Sequence, residues 1–309
     1  MATAVICEFN PFHNGHKYLL ESAKNVLKEP VIAIMSGSFT QRGEVAVCDK
    51  FVRAKSALEN GADLVLELPV VFSLSGAEGF AKAGVAIASA FDCTNYLAFG
   101  SESGDCELLK KSANAVCDER VQALVRDGMK NGGYYPRELE NAVKTVFGDE
   151  ISSVLCEPNN ILGVEYIKAL NGTGVEPFSV ARTGVAHDSR IAGEGFASAS
   201  HIREMLRNGE KAKKYAPYIP DEITFPENLD RPLLYRLRTM TREDIAKLPD
   251  VGEGLENRIA DAAVRCSTSS EIADLVKTKR YTHARIRRIL ACASVSYTHL
   301  RAHETRSNL

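Results

Sequence analysis

The first two thirds of the chain alternate short apolar runs with longer segments whose apolar residues recur at helical spacing. Five runs have the length of strands: 3–9, 30–37, 62–69, 95–102 and 176–182. Helical patterns follow them at 17–27, 49–61, 75–90, 105–127 and 200–209. Strands that alternate with helices are typical of an α/β fold in which helices cover both faces of a doubly wound parallel sheet. Several runs are apolar throughout, which suits strands buried on both faces.

The pattern changes near Arg207, and a proline-rich connector at 215–232 leads into a part with helical patterns only. These patterns cover 232–239, 242–247, 255–266, 270–277 and 282–293. The chain is therefore predicted to contain an α/β domain at 1–206 and a smaller all-helical domain at 207–295. From Arg207 onward there are 19 Lys and Arg against 14 Asp and Glu, whereas the preceding part carries 19 against 26. The basic excess is a mild indication of a polyanionic partner, although ordinary variation between domains explains it equally well.

The composition indicates a cytoplasmic protein without a membrane partner. No apolar run of the 309-residue chain reaches the ~18 residues of a spanning helix. The amino terminus lacks the basic segment of a signal peptide. The eight cysteines are scattered and form no Cys-x-x-Cys pair, so they favour a reducing compartment over a zinc site or a disulfide framework.

The segment Asn10-Pro11-Phe12-His13-Asn14-Gly15-His16 lies between the first strand and the first helix. Gly15 allows a tight turn, and a helix start offers N–H groups and a positive dipole end to phosphate. Two imidazoles at that place can donate hydrogen bonds as charge develops on the phosphate. Two alternatives remain: one histidine only caps the helix, or the pair binds a metal. No metal site is predicted, because no third ligand lies nearby in the sequence.

Polar residues also follow the other strands, at the sheet edge where α/β folds bind ligands. Arg42 lies in the flexible loop after strand two, where it would pair with a phosphate or a carboxylate, or simply be solvated. Gly100 would let a flat base approach the backbone after strand four. Asn159 and Asn160 precede a helix, where asparagine is also a common cap. Beyond strand five come Arg182, and then Ser198 and Ser200 ahead of Arg203 in a second predicted phosphate cradle.

The segment 277–290 concentrates positive charge in the helical part. Its cations are Lys277, Lys279, Arg280, Arg285, Arg287 and Arg288. Such a cluster supplies salt-dependent affinity for nucleic acid, and Tyr281 among them is predicted to stack on an unpaired base. The alternative is a solvated basic helix face.

Six blocks, in order from about Ala4 to Cys292, together resemble one family. They are EFNPFHNGH, SGSFTQRGE, GADLVLELP, FGSE, PNNILGVEY and KRYTHARIRR. The chain is similar to the bacterial tRNA(Met) cytidine acetate ligase family within the HIGH-motif nucleotidyltransferase superfamily. The HxGH block alone would fit many adenylyltransferases, whereas the series is specific.

The resemblance implies a Rossmann-like nucleotidyltransferase domain and a helical domain that helps to hold tRNA. The implied reaction joins ATP and acetate into acetyl-adenylate, releases pyrophosphate, and passes the acetyl group to N4 of the wobble cytidine (C34) of elongator tRNA(Met). Magnesium would accompany the phosphates. His13 and His16 would be catalytic, because they match the two HxGH histidines and would stabilise charge on the α-phosphate.

The resemblance and the loop positions together indicate the binding residues. Those expected to contact ATP are Ile6, Cys7, Glu8, Phe9, Asn10, Pro11, Phe12, His13, Asn14, Gly15, His16, Lys17, Tyr18, Leu19, Gly100, Asn159, Asn160, Arg182, Ser200 and Arg203. The choice between Asn159 and Asn160 stays open. Those expected to contact tRNA are Arg42, Lys277, Lys279, Arg280, Arg285, Arg287 and Arg288.

Residues 296–309 do not resemble the family's continuation, so we expect a non-native tail on a truncated, incomplete tRNA-binding domain. Two other functions fit parts of the pattern. One is a small-molecule adenylyltransferase of the same superfamily, against which the basic helical part counts. The other is a non-catalytic RNA-binding protein, against which the His13/His16 loop counts.

Overall fold

A computed structural model describes residues 1–182, 195–220, 222–278 and 281–295. Over these residues the strands are β1 Ala2–Cys7, β2 Val31–Ser36, β3 Leu64–Leu68, β4 Thr94–Ser101 and β5 Glu176–Ala181. They form one sheet in the order β3-β2-β1-β4-β5. β1 runs parallel to β2 and β4, and β4 runs parallel to β5. The predicted doubly wound parallel sheet and its five strands are confirmed.

Helices fill the intervals between the strands and make up the later part of the chain. Their bounds are α1 Asn14–Leu27, α2 Lys50–Leu58, α3 Val70–Ser73, α4 Ala77–Ser89, α5 Cys106–Cys117, α6 Glu119–Lys130, α7 Tyr135–Phe147, α8 Asp149–Ser153, α9 Pro158–Leu170, α10 Ala199–Arg207, α11 Asp230–Thr239, α12 Arg242–Ala246, α13 Leu255–Arg265, α14 Ser269–Val276 and α15 His283–Ser294. The last five agree with the predicted bounds to within two residues. Short 3₁₀ turns lie at Val154–Cys156 and Pro226–Leu229.

The single helix predicted over 105–127 is wrong, because the structure contains two helices there. Asp118 leaves the helical conformation with ψ 133°, and its carboxylate accepts from the backbone N–H of Arg120 at 2.9 Å. An aspartate that caps the second helix competes with continuation of the first. The apolar periodicity continues through this break, which is why it concealed the boundary.

β1 and β2 are buried at every residue, as their apolar sequences predicted. The edge strand β3 differs, because only Leu68 of its five residues is buried. The apolar residues Leu64, Val65 and Leu66 therefore did not mean burial on both faces in this strand. A strand at the edge of a sheet needs less cover than one at the centre.

The chain divides into two compact units, and neither follows a simple cut in the sequence. Unit 1 contains 1–35, 48–68, 77–182 and 195–220 of the described chain. Its core surrounds the sheet. Residues 207–220 belong to this unit because Ala212 and Ala216 pack with Ala197 and Ile202 of the α10 region. The unit therefore extends past the boundary that we predicted at 206.

Unit 2 joins two excursions of the chain, Ser36–Val47 and Pro69–Gly76, to the described residues from Glu222 onward. Leu74 of the second excursion is 2% exposed within the same core as Leu233, Ile259 and Ile286. Unit 2 is thus helical, as predicted, but the sequence pattern had assigned both excursions to the α/β domain.

None of the described helices has the combination of length and apolar character needed to span a membrane. The cysteines are all free thiols, and four of them are buried. The interpretation of 296–309 as a non-native tail falls outside the residues that the structure describes.

Candidate active site

The proposed catalytic segment lies where the strand order of the sheet reverses. β1 has β2 on one side and β4 on the other. From β1 the chain first adds strands on one side of the sheet and then on the other. The turn after β1 carries His13 and His16, and the end of β4 carries Gly100. Ligands in open α/β sheets bind beyond such a switch point. Both segments therefore occupy the position that the fold reserves for a ligand.

His13 and His16 cap α1 reciprocally. Nδ1 of His13 accepts from the Gly15 backbone N–H at 3.0 Å, and Nδ1 of His16 accepts from the His13 backbone N–H at 3.3 Å. An accepting Nδ1 places the proton of a neutral imidazole on Nε2. The alternative that one histidine only caps the helix is therefore incomplete, since both rings cap and both present an Nε2–H donor.

The two rings are stacked, with centroids 3.7 Å apart and planes 27° apart. Burial lowers the pKa of His13 to about 3, and the positive charges of Arg182 and Arg203 add to this effect. Burial, His13 and Arg182 also hold the pKa of His16 well below its usual value. Both rings are thus neutral hydrogen-bond donors at physiological pH, set beside two guanidinium groups.

Gly15 is required by the close approach of the His13 ring. A Cβ at this position would lie 2.9 Å from Cε1 and 3.1 Å from Nδ1 of His13. The glycine thus serves the histidine cap directly, in addition to the tight turn predicted from the sequence.

The backbone N–H groups at the start of α1 are already paired within the protein. Asn14 N donates to the Tyr215 carbonyl at 2.9 Å, Gly15 N to His13 Nδ1, and His16 N to the His13 carbonyl at 2.9 Å. The sequence-based expectation of free N–H donors for phosphate is therefore wrong at this helix. The side chains of the two histidines and of the nearby arginines also carry donors at this turn.

Two arginines hold the turn from different elements. Nη1 of Arg53, on α2, donates to the Glu8 carbonyl at 2.6 Å, while its Nε donates to the Cys48 carbonyl at 3.0 Å. Nη1 of Arg203, on α10, donates to the Asn10 carbonyl at 2.8 Å. Between these carbonyls Phe9 has φ 49°, a conformation that non-glycine residues rarely adopt. The guanidinium groups hold the backbone on both sides of that residue.

Arg53 is a residue that the sequence analysis missed. It is 1% exposed, although arginine is seldom fully buried. Its place in an otherwise ordinary amphipathic helix carries no signal of burial. The Cys48 carbonyl is 5 residues from Arg53 in the sequence, but the Glu8 carbonyl is 45 residues away, on the other side of β2.

Glu102, also missed as a site residue, organises the asparagine pair. Its Oε2 accepts from the Asn160 backbone N–H at 2.9 Å, and its Oε1 accepts from Nδ2 of Asn159 at 2.5 Å. The carboxylate thus supplies the cap that α9 lacks from its own preceding residue. Oδ1 of Asn160 accepts from the Ser103 N–H at 3.1 Å. Both asparagines are held in place, and neither is itself the N-cap.

Gly100 and Arg182 are adjacent across two strands. Gly100 pairs with Val180 in register, and the Arg182 N–H donates to the Ser101 carbonyl at 2.9 Å. A Cβ on Gly100 would make ordinary van der Waals contact with Cγ of Arg182 at 3.5 Å. The surrounding protein atoms would thus leave room for a Cβ at this position, and packing within the protein does not require a glycine.

The predicted second cradle divides between two serines. Ser198 caps α10 by accepting from the His201 N–H at 3.1 Å, whereas Ser200 accepts from Nη2 of Arg203 at 3.3 Å. The side chains of Ile6, Cys7, Phe9 and Phe12 are buried in the core, which leaves only the backbone of these residues for the predicted contact with ATP. Lys17, Tyr18 and Leu19 lie on the first turns of α1.

The described residues among those predicted to bind tRNA belong to unit 2, where several are bound to other groups of the protein. Arg285 donates to the Asp250 carbonyl at 2.7 Å, and Arg287 pairs with Glu44 at 2.6 Å. Nη2 of Arg288 lies 3.8 Å from the Asp250 carboxylate. Lys277 is exposed, and Arg42 lies in the first excursion, whereas Lys279 and Arg280 lie outside the described residues.

The prediction that Tyr281 stacks on a base is wrong. Tyr281 is 7% exposed, and its hydroxyl donates to Glu253 at 3.1 Å. The guanidinium of Arg285 lies 4.9 Å from its ring centroid. An aromatic residue within a basic run thus packs into the core of unit 2, because the ring is amphipathic.

Comparison with known proteins places the chain in a family. The model of the HIGH Nucleotidyl Transferase family matches residues 1–308. The tRNA(Met) cytidine acetate ligases of Thermoanaerobacter sp. (strain X514) and Clostridium tetani are 39% and 36% identical, over 93% of this chain and 76% and 77% of theirs.

Two crystal structures of Thermotoga maritima TmcAL resemble this fold. The apo form has a TM-score of 0.86 at 34% identity over 95% of this chain and 75% of that one. The form bound with alpha-thio ATP has a TM-score of 0.84 at 35% identity over 95% and 74%. With its HxGH histidines at the switch point of the sheet, this chain belongs to the tRNA(Met) cytidine acetate ligase family of HIGH nucleotidyl transferases.

Proposed function

We propose that the protein is an ATP-dependent ligase that acetylates N4 of the wobble cytidine of elongator tRNA(Met), with acetate as the acetyl donor. The observation that carries this proposal is the stacked pair His13 and His16, whose Nδ1 atoms are both occupied and whose rings are neutral. Such a pair offers fixed donors toward a phosphate and has no nucleophilic role. That arrangement suits adenylation of a carboxylate.

In the first half-reaction an acetate oxygen attacks the α-phosphorus of ATP, and the bond to pyrophosphate breaks. The Nε2–H groups of His13 and His16 donate to phosphate oxygens as negative charge builds on them. Arg182 and Arg203 add positive charge near His13, whose pKa they lower. The protein supplies position and charge, and acetate supplies the electron pair.

In the second half-reaction the N4 amine of cytidine attacks the acetyl carbonyl, and AMP leaves with the bonding electrons. The amine loses one proton in this step. We assign Gly100, Asn159, Asn160 and Arg182 to the nucleotide, and the half-buried Arg42 and the exposed Lys277 to the tRNA. ATP and tRNA meet in the cytoplasm, where this reaction would take place.

Magnesium enters this proposal only as the counterion of ATP. Among the described residues, no group of three or more His, Cys, Asp or Glu side chains is arranged to hold an ion. Glu102, a carboxylate at this edge of the sheet, is already bound to Asn159 and Asn160. The residues therefore do not fit a resident metal, and no step depends on one.

The test is acetate-dependent ATP–pyrophosphate exchange, followed by acetyl transfer to tRNA(Met), with wild type, His13→Asn and His16→Asn. Asparagine is itself a good N-cap, so His13→Asn keeps the cap and removes the Nε2–H donor. We expect each variant to fold and to lose on the order of 10²-fold in exchange rate.

Unchanged exchange in both variants would refute the catalytic assignment and favour a non-catalytic RNA-binding protein. Exchange with a nucleotide or phosphopantetheine acceptor, and none with acetate, would favour a small-molecule adenylyltransferase. A wild-type protein that exchanges with acetate but never acetylates tRNA(Met) would refute the proposed acceptor.

A further inference from the structure

We propose that three lysines beside the histidine turn, Lys211, Lys213 and Lys214, hold the phosphates of the acceptor RNA next to the reacting group. We call these residues the lysine segment. The inference rests on the proposed function, and it adds an RNA-binding site in unit 1 to the basic residues predicted in unit 2.

Asn14 joins the lysine segment to the catalytic turn. Its Nδ2 donates to the Lys214 carbonyl at 3.0 Å, and its backbone N–H donates to the Tyr215 carbonyl at 2.9 Å. Asn14 directly follows His13. The backbone of the segment is thus within hydrogen-bond distance of the residue next to a catalytic ring.

The segment is fixed from the other side by packing. Ala212, between two of the lysines, is 3% exposed, and Ala216 is fully buried; both pack against Ile202 of α10. The Tyr215 N–H donates to the Ala212 carbonyl at 2.9 Å. Because the backbone of this turn is already fixed at both ends, it loses little conformational entropy when the lysines bind a ligand.

The charge of the lysine segment has no carboxylate counterpart among the described residues. All three side chains are exposed, and in the described parts of the chain no carboxylate lies within ion-pair distance of their ammonium groups. Lys214 instead lies 5.5 Å from the centroid of the Tyr215 ring. By contrast, Arg287 of unit 2 already holds a carboxylate. Cations that are not paired with a carboxylate can bind phosphate directly, and each such contact releases counterions.

An aromatic pair borders the same turn. Nδ2 of Asn14 also donates to the Gly195 carbonyl at 2.8 Å, and the next residue, Phe196, meets Tyr18 of α1 edge to face at 6.3 Å. Tyr18 is 37% exposed. One asparagine therefore holds a lysine segment and an aromatic segment at the start of α1, the combination that single-stranded nucleic acid binds.

The chemistry requires RNA at this place. A cytidine whose N4 attacks an acyl-adenylate must leave its stack and reach the α-phosphate between the histidines and Arg182. The phosphates on either side of that nucleotide then lie close enough to the histidine turn for the side chains of neighbouring residues to contact them. Long, flexible cations at the rim neutralise them without demanding one geometry.

The experiment compares the triple variant Lys211→Gln, Lys213→Gln, Lys214→Gln with a control triple variant of equal net charge, Lys55→Gln, Lys111→Gln, Lys130→Gln. The control lysines are also exposed but lie on α2, α5 and α6. Filter binding of tRNA(Met) is measured between 50 and 300 mM salt, together with acetate-dependent exchange. A third protein carries Lys→Arg at 211, 213 and 214.

We expect the lysine-segment variant to bind tRNA about tenfold or more weakly, with a log–log salt slope reduced by about 2, near 0.7 for each lost phosphate contact. Exchange should stay within about twofold of wild type, and the arginine variant should restore tRNA binding. Binding and slope equal to those of the control variant would refute the inference. Loss of exchange with unchanged tRNA binding would also refute it, because the lysines would then serve ATP.

Filter binding does not need catalysis. Failure of the wild-type protein to acetylate tRNA would therefore refute the proposed function while leaving the lysine comparison interpretable. The two failures are thus distinguishable.

Discussion

At the scale of single residues, we expect the addition of one methyl group at Gly15 to lower the rate of exchange strongly. A methyl group there would lie 2.9 Å from Cε1 of His13, so Gly15→Ala must displace the ring. A misplacement near 1 Å in a catalytic group lowers a rate by about 10²-fold. We expect a loss of about 10- to 100-fold in acetate-dependent exchange, measured at saturating ATP.

The matched control is Gly76→Ala, where an added Cβ meets no atom within 4 Å. This variant should exchange at the wild-type rate. Equal activity of Gly15→Ala and Gly76→Ala would mean that the His13 ring position does not limit the reaction.

The histidine pair also makes stability depend on pH. The folded protein holds the pKa of His13 near 3, while the unfolded chain takes up its proton near 6.5. The unfolded state therefore binds more protons between these values, and the free energy of unfolding falls as the pH drops below 6.5. Each buried histidine contributes up to about 1.4 kcal/mol per pH unit.

Urea unfolding at pH 7.5, 6.0 and 5.0 checks this dependence. The double variant His13→Asn, His16→Asn should lose less stability than wild type between pH 7.5 and 5.0. Carboxylates contribute equally to both proteins, so only the difference matters. Parallel pH curves would show that the rings are not buried as neutral groups.

At the scale of elements, the sequence predicted the α/β class, the five strands and the late helices, because apolar periodicity and caps such as Asp49 act locally. It could not reveal that Arg53 binds the Glu8 and Cys48 carbonyls, or that Glu102 caps α9. Glu8 is 45 residues from Arg53 and Asn160 is 58 residues from Glu102, so these two pairs meet only once the sheet has formed, whereas Cys48 is a local partner of Arg53. At Asp118 the sequence misled in the opposite way. The local cap of α6 ends the preceding helix, although the apolar periodicity continues through it.

We expect Glu102 to stabilise the protein by holding the first residues of α9 in place. Its carboxylate accepts from the Asn160 N–H and from Nδ2 of Asn159, so a Glu102→Gln change sets an amide N–H against one of these donors. We expect a loss of about 1–2 kcal/mol in the free energy of unfolding and a raised KM for ATP in the exchange reaction.

Glu107→Gln is the control, since Glu107 lies nearby on α5 with its side chain 74% exposed. It should change neither quantity. A raised KM without any loss of stability in Glu102→Gln would mean that Glu102 contacts the nucleotide itself.

At the scale of the whole molecule, each of the two compact units combines segments that are interleaved in the sequence. Unit 2 takes Ser36–Val47 and Pro69–Gly76 from within the α/β part, and its core contains Leu74. A cut at one point of the chain cannot separate the units cleanly. The proposed division of labour, ATP chemistry in unit 1 and part of the tRNA contact in unit 2, must therefore be tested with both excursions in mind.

For this reason, we expect a protein that ends at residue 221 to aggregate. The deletion removes Leu233, Ile259 and Ile286, the core partners of Leu74, and leaves the excursion residues Phe39 and Val70 without their apolar neighbours. Exposed apolar patches of this kind drive aggregation. Replacing 36–47 and 69–76 of that protein by short Gly-Ser links should restore a soluble, cooperatively folding unit 1. Size-exclusion chromatography and thermal unfolding compare the two, and a well-behaved simple truncation would show that the excursions do not need the unit 2 core.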